Sequence, residues 1–408
     1  MAKIVISSTG THGDHLPYIA LGVALKERGH RVYLAFRASM HEFVINAGLE
    51  AIAFGEELSE VVARQNAADW DQFQPKHYSL TTQIERIHHY LAEDLPISFQ
   101  KLSLDCQDAD LFIAGFQRHL FGAMLANKIG LPWVAASVTP SFQCSKPTQK
   151  NHHDQNLFNN FLPTLQETFK KLSIPELDWL NYEKNERAIL ASSAHFSQPH
   201  PDYNYYQQTG FWFYEDPSWT TWQPKPELVQ FLQDYPEPLF LTFSSIPVVD
   251  PKTVLAVHCQ TAQALGKGLI VQRGWANFNE SFIPETVEPR SIFFVDFMPQ
   301  DWLLSQVAAI IHHGGVGTIA RALRNDCPML VEPLGNDQFF NAKQILNLKV
   351  GTAAHPHKIT PEGLANILKH KVLTPEVRDR VELLGAKIRA ENSLDQACHL
   401  IESWLPAA

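Results

Sequence analysis

His312-His313-Gly314-Gly315-Val316-Gly317-Thr318 follows an apolar run, residues 307–311, and leads into Ile319-Ala320-Arg321-Ala322-Leu323. The run reads as a buried parallel strand, and the stretch after the glycines as the start of a helix. A strand, a glycine-rich turn and a helix N-terminus leave backbone N–H groups unpaired and present the positive end of a helix dipole, which together suit a phosphate. A histidine adds a charged or neutral ring donor there, and Thr318 a hydroxyl. The plainer reading is a tight turn with a core histidine. Paired histidines before Gly-Gly-x-Gly-Thr at such a junction favour diphosphate binding instead. Further on, Asp337-Gln338 follow Pro333 and Gly335 after another apolar run. A neighbouring carboxylate and amide offer acceptors and donors together, which suits vicinal hydroxyls, although the pair could simply cap the helix containing Asn341.

The alternation around this motif extends in both directions. Residues 239–243, 269–272, 292–295, 307–311 and 329–331 read as strands, with helices over 254–265 and 341–346. An earlier series has strands at 3–8, 31–36, 111–114 and 133–136, and helices at 16–28 and 119–129 ended by Gly29 and Gly130. Repeated strand–helix units predict an α/β chain of two doubly wound parallel sheets. The pattern blurs over 56–110 and 141–179, polar and aromatic stretches that read as insertions over the sheet's functional edge. Residues 198–238 carry Pro199, Pro201, Pro217, Pro224, Pro226, Pro236 and Pro238, the mark of an interdomain linker. The expected division is a first domain over 1–205, a linker over 206–237, a second domain over 238–391 and a last helix over 392–408.

A chain of 408 residues is long enough for two cores, and 45% hydrophobic with 19% charged residues is typical of a globular protein. A net charge of -10 without a basic run argues against nucleic acid and acidic membranes as partners. The N-terminus enters a strand directly, and no apolar stretch approaches the ~18 residues of a spanning helix, so no leader or membrane insertion is expected. Five scattered cysteines fit neither a disulfide framework nor a CxxC metal site and suggest a reducing, cytoplasmic setting.

Gly10-Thr11-His12-Gly13-Asp14-His15-Leu16-Pro17 follows the first strand. It lacks the third glycine of a dinucleotide fingerprint, and the second strand ends at Phe36-Arg37 rather than at an acid for ribose. Its position at a strand's carboxyl end faces a ligand crevice in an open sheet. Asp14 can cap the helix or remove a proton from a hydroxyl, and the two roles are compatible. His15 and His12 are rival bases. Asp108-Ala109-Asp110 precedes its strand, on the wrong edge for a metal-bound nucleotide, and His88-His89 and His152-His153 read as surface or packing pairs.

These residues carry a resemblance. The sequence is similar to GT-B nucleotide-sugar glycosyltransferases of the UDP-glycosyltransferase family, in the branch that modifies sterols and antibiotics. The matching stretches are residues 10–17, 29–32, 209–211, 242–245, 299–304, 312–318, 328–333 and 337–342, spread over nearly the whole length. The resemblance implies two Rossmann-like domains facing a central cleft, with the last helix packing back on the first. It implies that His313, Thr318 and the backbone of Gly315, Val316 and Gly317 hold the diphosphate, with Ser245 approaching the same phosphates. Met298 would read the base edge beside Phe297 and Trp302, Asp337 and Gln338 would hold sugar hydroxyls, and Arg273 joins the donor-binding set. Asp14 falls where the family places its catalytic base.

Three positions depart from the family's pattern. Arg321 stands where plant-type members carry a ribose-binding glutamate; Ala114-Gly115-Phe116 lacks the acid that pairs with a histidine base; Ser244 stands where glycine is common. The second departure supports a lone Asp14. Aromatics of the first half, Trp70, Phe73, Tyr78, Phe116, His119, Phe121, Phe142 and Phe158, suit a flat lipophilic acceptor, with Trp70, Phe116, His119 and Phe142 the chosen candidates. The expected activity is inverting transfer of a hexose, glucose foremost, from a UDP-sugar to a hydroxyl of a sterol, polyketide, phenolic or lipid. The UDP-sugar is a co-substrate; no cofactor and no metal are expected, because helix dipole and donors already oppose the phosphate charge. The alternatives are a sugar-nucleotide epimerase, an NAD(P)-dependent oxidoreductase weakened by the broken fingerprint, and a non-catalytic nucleotide-sugar binder.

Overall fold

The structure is a computed structural model that describes residues 1–75, 79–144, 152–175 and 185–405. They form two compact units, one of Met1–Glu57, Tyr78–Pro217 and Asn392–Ala408, the other of Leu58–His77 and Ser218–Glu391.

The first unit is built on seven strands: β1 (Lys3–Ser7), β2 (Arg31–Phe36), β3 (Glu50–Ala53), β4 (Leu111–Ala114), β5 (Trp133–Ser137), β6 (Ala188–Leu190) and β7 (Tyr206–Gln208). All pair in parallel, in the order β3-β2-β1-β4-β5-β6-β7. Parallel strands covered on both faces are apolar at every position, and the alternation of side chains separates two cores. Ile4, Ile6, Leu34, Phe36, Leu111 and Ile113 enter one core, whereas Val5, Ala35, Phe112 and Ala114 enter the other.

The second unit has six strands: β8 (Leu239–Thr242), β9 (Leu269–Gln272), β10 (Ile292–Val295), β11 (Ala309–His312), β12 (Met329–Val331) and β13 (Gly351–Ala353). They too are parallel, in the order β10-β9-β8-β11-β12-β13. Both sheets are thus doubly wound, as the strand–helix alternation predicts. In each, strand order reverses at one point, between β1 and β4 and between β8 and β11, and crevices for ligands form at the carboxyl ends of such strands. Residues 8–14 and 115–116 follow the first pair; residues 243–245 and 313–318 follow the second.

Helix α1 (His12–Glu27) belongs to the first unit, α2 (Val316–Arg324) and α3 (Gln338–Leu348) to the second, and α4 (Ser393–Ser403) to the first. α4, the end of the chain, buries Ala397, Cys398 and Ile401 in the core that holds Ile4 and Leu34. Arg28 fixes its flank, with ion pairs of 2.8 Å to both Asp395 and Glu402.

Two stretches differ from the expected division. Tyr206–Gln208, assigned to the linker, is the seventh strand; three residues carrying two glutamines show no apolar run to betray a strand. Residues 58–77, expected within the first domain, pack in the second unit. The five cysteines are all free. Among the described residues no helix is long and apolar enough to cross a membrane.

Candidate active site

β11 delivers the two histidines into the turn before α2. His312 is wholly buried, and its Nδ1 accepts the Gly314 N–H at 3.2 Å, which sets the turn. Gly314 has φ +97, and a Cβ there would lie 2.7 Å from Val331 Cγ1. At Gly315 a Cβ would lie 2.6 Å from His313 Nε2, so only glycine lets the chain pass the imidazole. No side chain caps the first turn of α2, and residues 315–318 are half-exposed. His313 is buried, yet its Nδ1 has no hydrogen-bond partner. Burial pushes its pKa down to about 4, so at neutral pH it is an uncharged ring offering one N–H and one lone pair. A turn of uncapped backbone amides beside a partnerless buried imidazole can take the oxygens of a diphosphate.

Behind this turn Asn341, fully buried, donates from Nδ2 to Gly314 O at 3.0 Å and to Asp337 Oδ2 at 2.9 Å, while its Oδ1 is unpartnered. Gln338 is buried, and its Oε1 accepts the N–H groups of Leu334 at 2.8 Å and Gly335 at 3.1 Å. Its carbonyl oxygen is therefore engaged in shaping the loop; its amide nitrogen is the end suited to a sugar hydroxyl. Asp337 is half-buried at the N-cap of α3.

Beside β11, the β8 loop carries Ser244 at φ +52 and buried Ser245. A left-handed backbone at Ser244 explains why glycine suits this position. The turn is held by the Ser244 N–H on Thr242 Oγ1 at 3.0 Å and by the Trp275 N–H on Ser244 O at 2.8 Å. Phe297 is 53% exposed with its ring 6.2 Å from Trp219, Met298 is buried, and Trp302 lies edge-on to Trp222 at 5.1 Å. Arg321 pairs with Asp301 and sets its guanidinium 5.4 Å from the Trp219 ring centre. Trp219 and Trp222 were not foreseen as site residues. Both come from the stretch taken for linker, and the sequence signal was there in its aromatic content. Arg273, expected on the donor, is engaged elsewhere: it pairs bidentately with Glu280 and stacks 4.8 Å from the Phe294 ring centre.

In the first unit, Thr11 is the N-cap of α1 and Asp14 closes the capping box. Asp14 Oδ2 accepts the Thr11 N–H at 2.7 Å and the Thr11 hydroxyl at 3.1 Å, and both bonds fall on that one oxygen. Burial raises the Asp14 pKa, against the two Thr11 bonds and the positive charge of Arg37. Capping thus occupies one of the two carboxylate oxygens, Oδ2. His15 is 1% exposed, with Nδ1 2.7 Å from Ser8 Oγ and its ring 4.7 Å from that of Phe36. Burial, and after it the charge of Arg37, brings its pKa down to about 3. Gly10 has φ +119, and a Cβ there would lie 2.3 Å from Asp14 Oδ2. Gly10→Ala should therefore combine an unfavourable backbone, about 1–3 kcal/mol, with displacement of the carboxylate. Thermal unfolding and turnover should both decline; unchanged values in the two would show that Asp14 does not depend on this turn.

The aromatics expected around an acceptor divide. Phe116 stacks on Phe142 at 4.2 Å and 17°, and Phe142 is 49% exposed. His119 lies behind them, 5.6 Å from Phe116 and 1% exposed, its pKa lowered by burial to about 4. Phe121 is core. Trp70 and Phe73 pack in the second unit, which corrects their expected place with the first-half aromatics: the sequence neighbours of an insertion do not fix where it docks. Tyr78 and the Phe158 side chain lie outside the described residues. Among those described, no cluster of His, Cys, Asp and Glu has the makings of a metal site.

Residues 277–396 match the family described as erythromycin biosynthesis protein CIII-like, C-terminal domain. A sterol 3-beta-glucosyltransferase of Arabidopsis thaliana is 25% identical over 99% of this chain and 68% of its own length. One from Pichia angusta is 25% identical over 98% of this chain but 33% of its own, so the chain spans about a third of that relative. Among solved structures, the glycosyltransferase of kitacinnamycin superposes with a TM-score of 0.75 at 20% identity, covering 99% of both chains, which is a likeness of fold. It is the alignment running from end to end, more than the glycine turn by itself, that carries the conclusion: the chain has the GT-B fold and is similar over nearly its whole length to sterol glucosyltransferases.

Proposed function

We propose that this glycosyltransferase moves a hexose, glucose foremost, from a UDP-sugar to the hydroxyl of a lipophilic small molecule, with inversion at the anomeric carbon. The observation that carries the donor half of this reading is the uncapped α2 turn beside His313 Nδ1, a buried polar atom without a partner. On this reading the diphosphate lies on residues 315–318, Ser245 adds a hydroxyl, and the base rests among Phe297, Met298 and Trp302. Asp337 and the Gln338 amide take the sugar hydroxyls. The stacked Phe116–Phe142 pair supports a flat acceptor, and the names of the two relatives favour a sterol-like 3-hydroxyl among the candidates.

The chemistry is a single displacement. The acceptor oxygen attacks the anomeric carbon, its bond to the nucleoside diphosphate oxygen breaks, and the acceptor proton passes to Asp14. Negative charge grows on the departing phosphate as the bond stretches, so donors already fixed around it act most in the transition state. His313 contributes there as a neutral hydrogen-bond donor. A carboxylate with a raised pKa is a better base than an ordinary one, which suits a deprotonation coupled to attack. Five unpaired thiols suit a reducing compartment, which supports a cytoplasmic site of action.

Incubation with UDP-glucose and a pool of sterols, polyketides and phenols, read by mass spectrometry, should give one or more products heavier by a hexose. NMR of the purified product should show a β-linkage from the α-configured donor. Release of free sugar or an epimer with no acceptor adduct would favour the epimerase reading instead.

A further inference from the structure

Residues 70–73 lie in sequence between β3 and β4 of the first sheet, yet they are seated on the second unit, against the loops that follow β12 and β13. The Gln72 N–H donates to Leu334 O at 2.9 Å. A Cβ at Gly335 would lie 3.2 Å from the Trp70 carbonyl oxygen, so the two backbones run in close contact. Asp71 is 2% exposed; its Oδ1 accepts the Phe73 N–H at 2.9 Å and its Oδ2 lies 2.5 Å from His357 Nε2. Phe73 lays its ring 4.3 Å from that of His355 and 5.8 Å from that of Phe339.

Leu334 is the point where these contacts meet the donor loop. Its carbonyl is held by Gln72, and its N–H, with that of Gly335, by Gln338 Oε1. Residues 334–338 are thus fastened on one side by their own glutamine and on the other by the inserted segment. Asp71 secures that segment twice: it fixes the turn to Phe73 and ties it to the β13 loop. Without the carboxylate, the part-buried contact to His357 and a turn are lost together, and the Gln72–Leu334 bond loses its support.

We infer that residues 70–73 are a brace for the donor-sugar loop, and that Asp71 is a positioning residue setting affinity for the hexose of the donor rather than for its nucleotide. The inference rests on the reading above in which Asp337 and Gln338 take the sugar hydroxyls. It gives Trp70 and Phe73 a donor-side task in place of the acceptor-side one their sequence position suggests.

The test is calorimetry on the full chain with UDP-glucose and with UDP, for wild type, Asp71→Ala and Phe73→Ala. Phe73 is 40% exposed, so its truncation leaves the core intact even if loss of Asp71 does not. The expected result is at least a tenfold loss for UDP-glucose in Asp71→Ala and a smaller loss in Phe73→Ala, with UDP affinity within twofold of wild type in both. Donor KM should rise in step. A UDP-glucose to UDP affinity ratio equal to wild type in both variants would overturn the brace while leaving the transferase reading intact. Wild-type protein that binds neither ligand would overturn both.

Discussion

Asp14→Asn should lower kcat by about 10²–10⁴-fold, the range typical of a lost general base. The fold should survive, because an asparagine oxygen can still accept from the Thr11 N–H and hydroxyl that the carboxylate now engages. Stability should hold or rise. Burial raises the Asp14 pKa, so the folded chain binds this proton more tightly than the unfolded chain. The group's contribution therefore weakens as pH climbs from the ordinary carboxylate range through the folded value, and at neutral pH the ionised form works against folding. Asparagine removes that burden. Activity should depend on pH in the opposite sense: kcat/KM rises through the same value as the base ionises, and this acid limb disappears in Asp14→Asn. Turnover, a thermal midpoint and a pH–rate profile on the two proteins check all three parts. His15 is the control. A ring 1% exposed, bonded to Ser8 and with a pKa near 3 has little reach toward a substrate. His15→Ala should loosen the turn but keep the acid limb; if it abolishes the limb while Asp14→Asn retains it, the base is misassigned.

His313→Ala is the other large effect. Loss of one preorganised donor to a developing oxyanion costs about 10²–10³-fold in kcat. Ground-state binding of UDP should weaken less, by about 1.5–3 kcal/mol, the span for a hydrogen bond to a charged group. No protein partner of Nδ1 is lost, so the damage falls on the ligand rather than on the turn. The contrast with His312 makes the point testable. His312 accepts the Gly314 N–H, and its removal should disturb the turn itself. Because burial holds His313 neutral above about pH 4, its contribution to UDP binding should be flat between pH 6 and 8. Calorimetry across that interval reads it, and affinity that grows toward pH 6 through His313 would mean that the ring is charged in the complex.

The parts of the fold written as local pattern were legible in the sequence. The apolar run before His312, the glycines after it and the helix beyond appear as β11, the turn and α2, because a parallel strand buried on both faces must be apolar throughout. The N-terminal loop was read in part: a helix over 16–28 capped by Asp14 was expected, whereas the helix starts at His12 with Thr11 as its cap and Asp14 as the acid three residues on that closes the capping box. The rest depended on contacts without a side-chain pattern. Tyr206–Gln208 is a strand by virtue of its partner β6. Residues 70–73 dock through a backbone N–H and a carbonyl, groups every residue owns. Arg273 pairs with Glu280, a partner that no motif in the sequence marks. Ser244 stands where glycine is common, and its left-handed backbone was not read from the sequence, because a serine side chain carries no sign of it.

One core of the first unit is not drawn from a continuous stretch. Ile401 and Cys398 sit in it with Ile4 and Leu34, so segments from either side of the second unit in sequence share that core. Bringing such distant segments together costs chain entropy that neighbouring contacts do not. The sheet holding His313 has all its strands between residues 239 and 353, whereas the core around Ile4 needs residues 393–403 as well. Truncation ahead of residue 393 would therefore strip apolar cover from the first unit and leave every strand of the second in place.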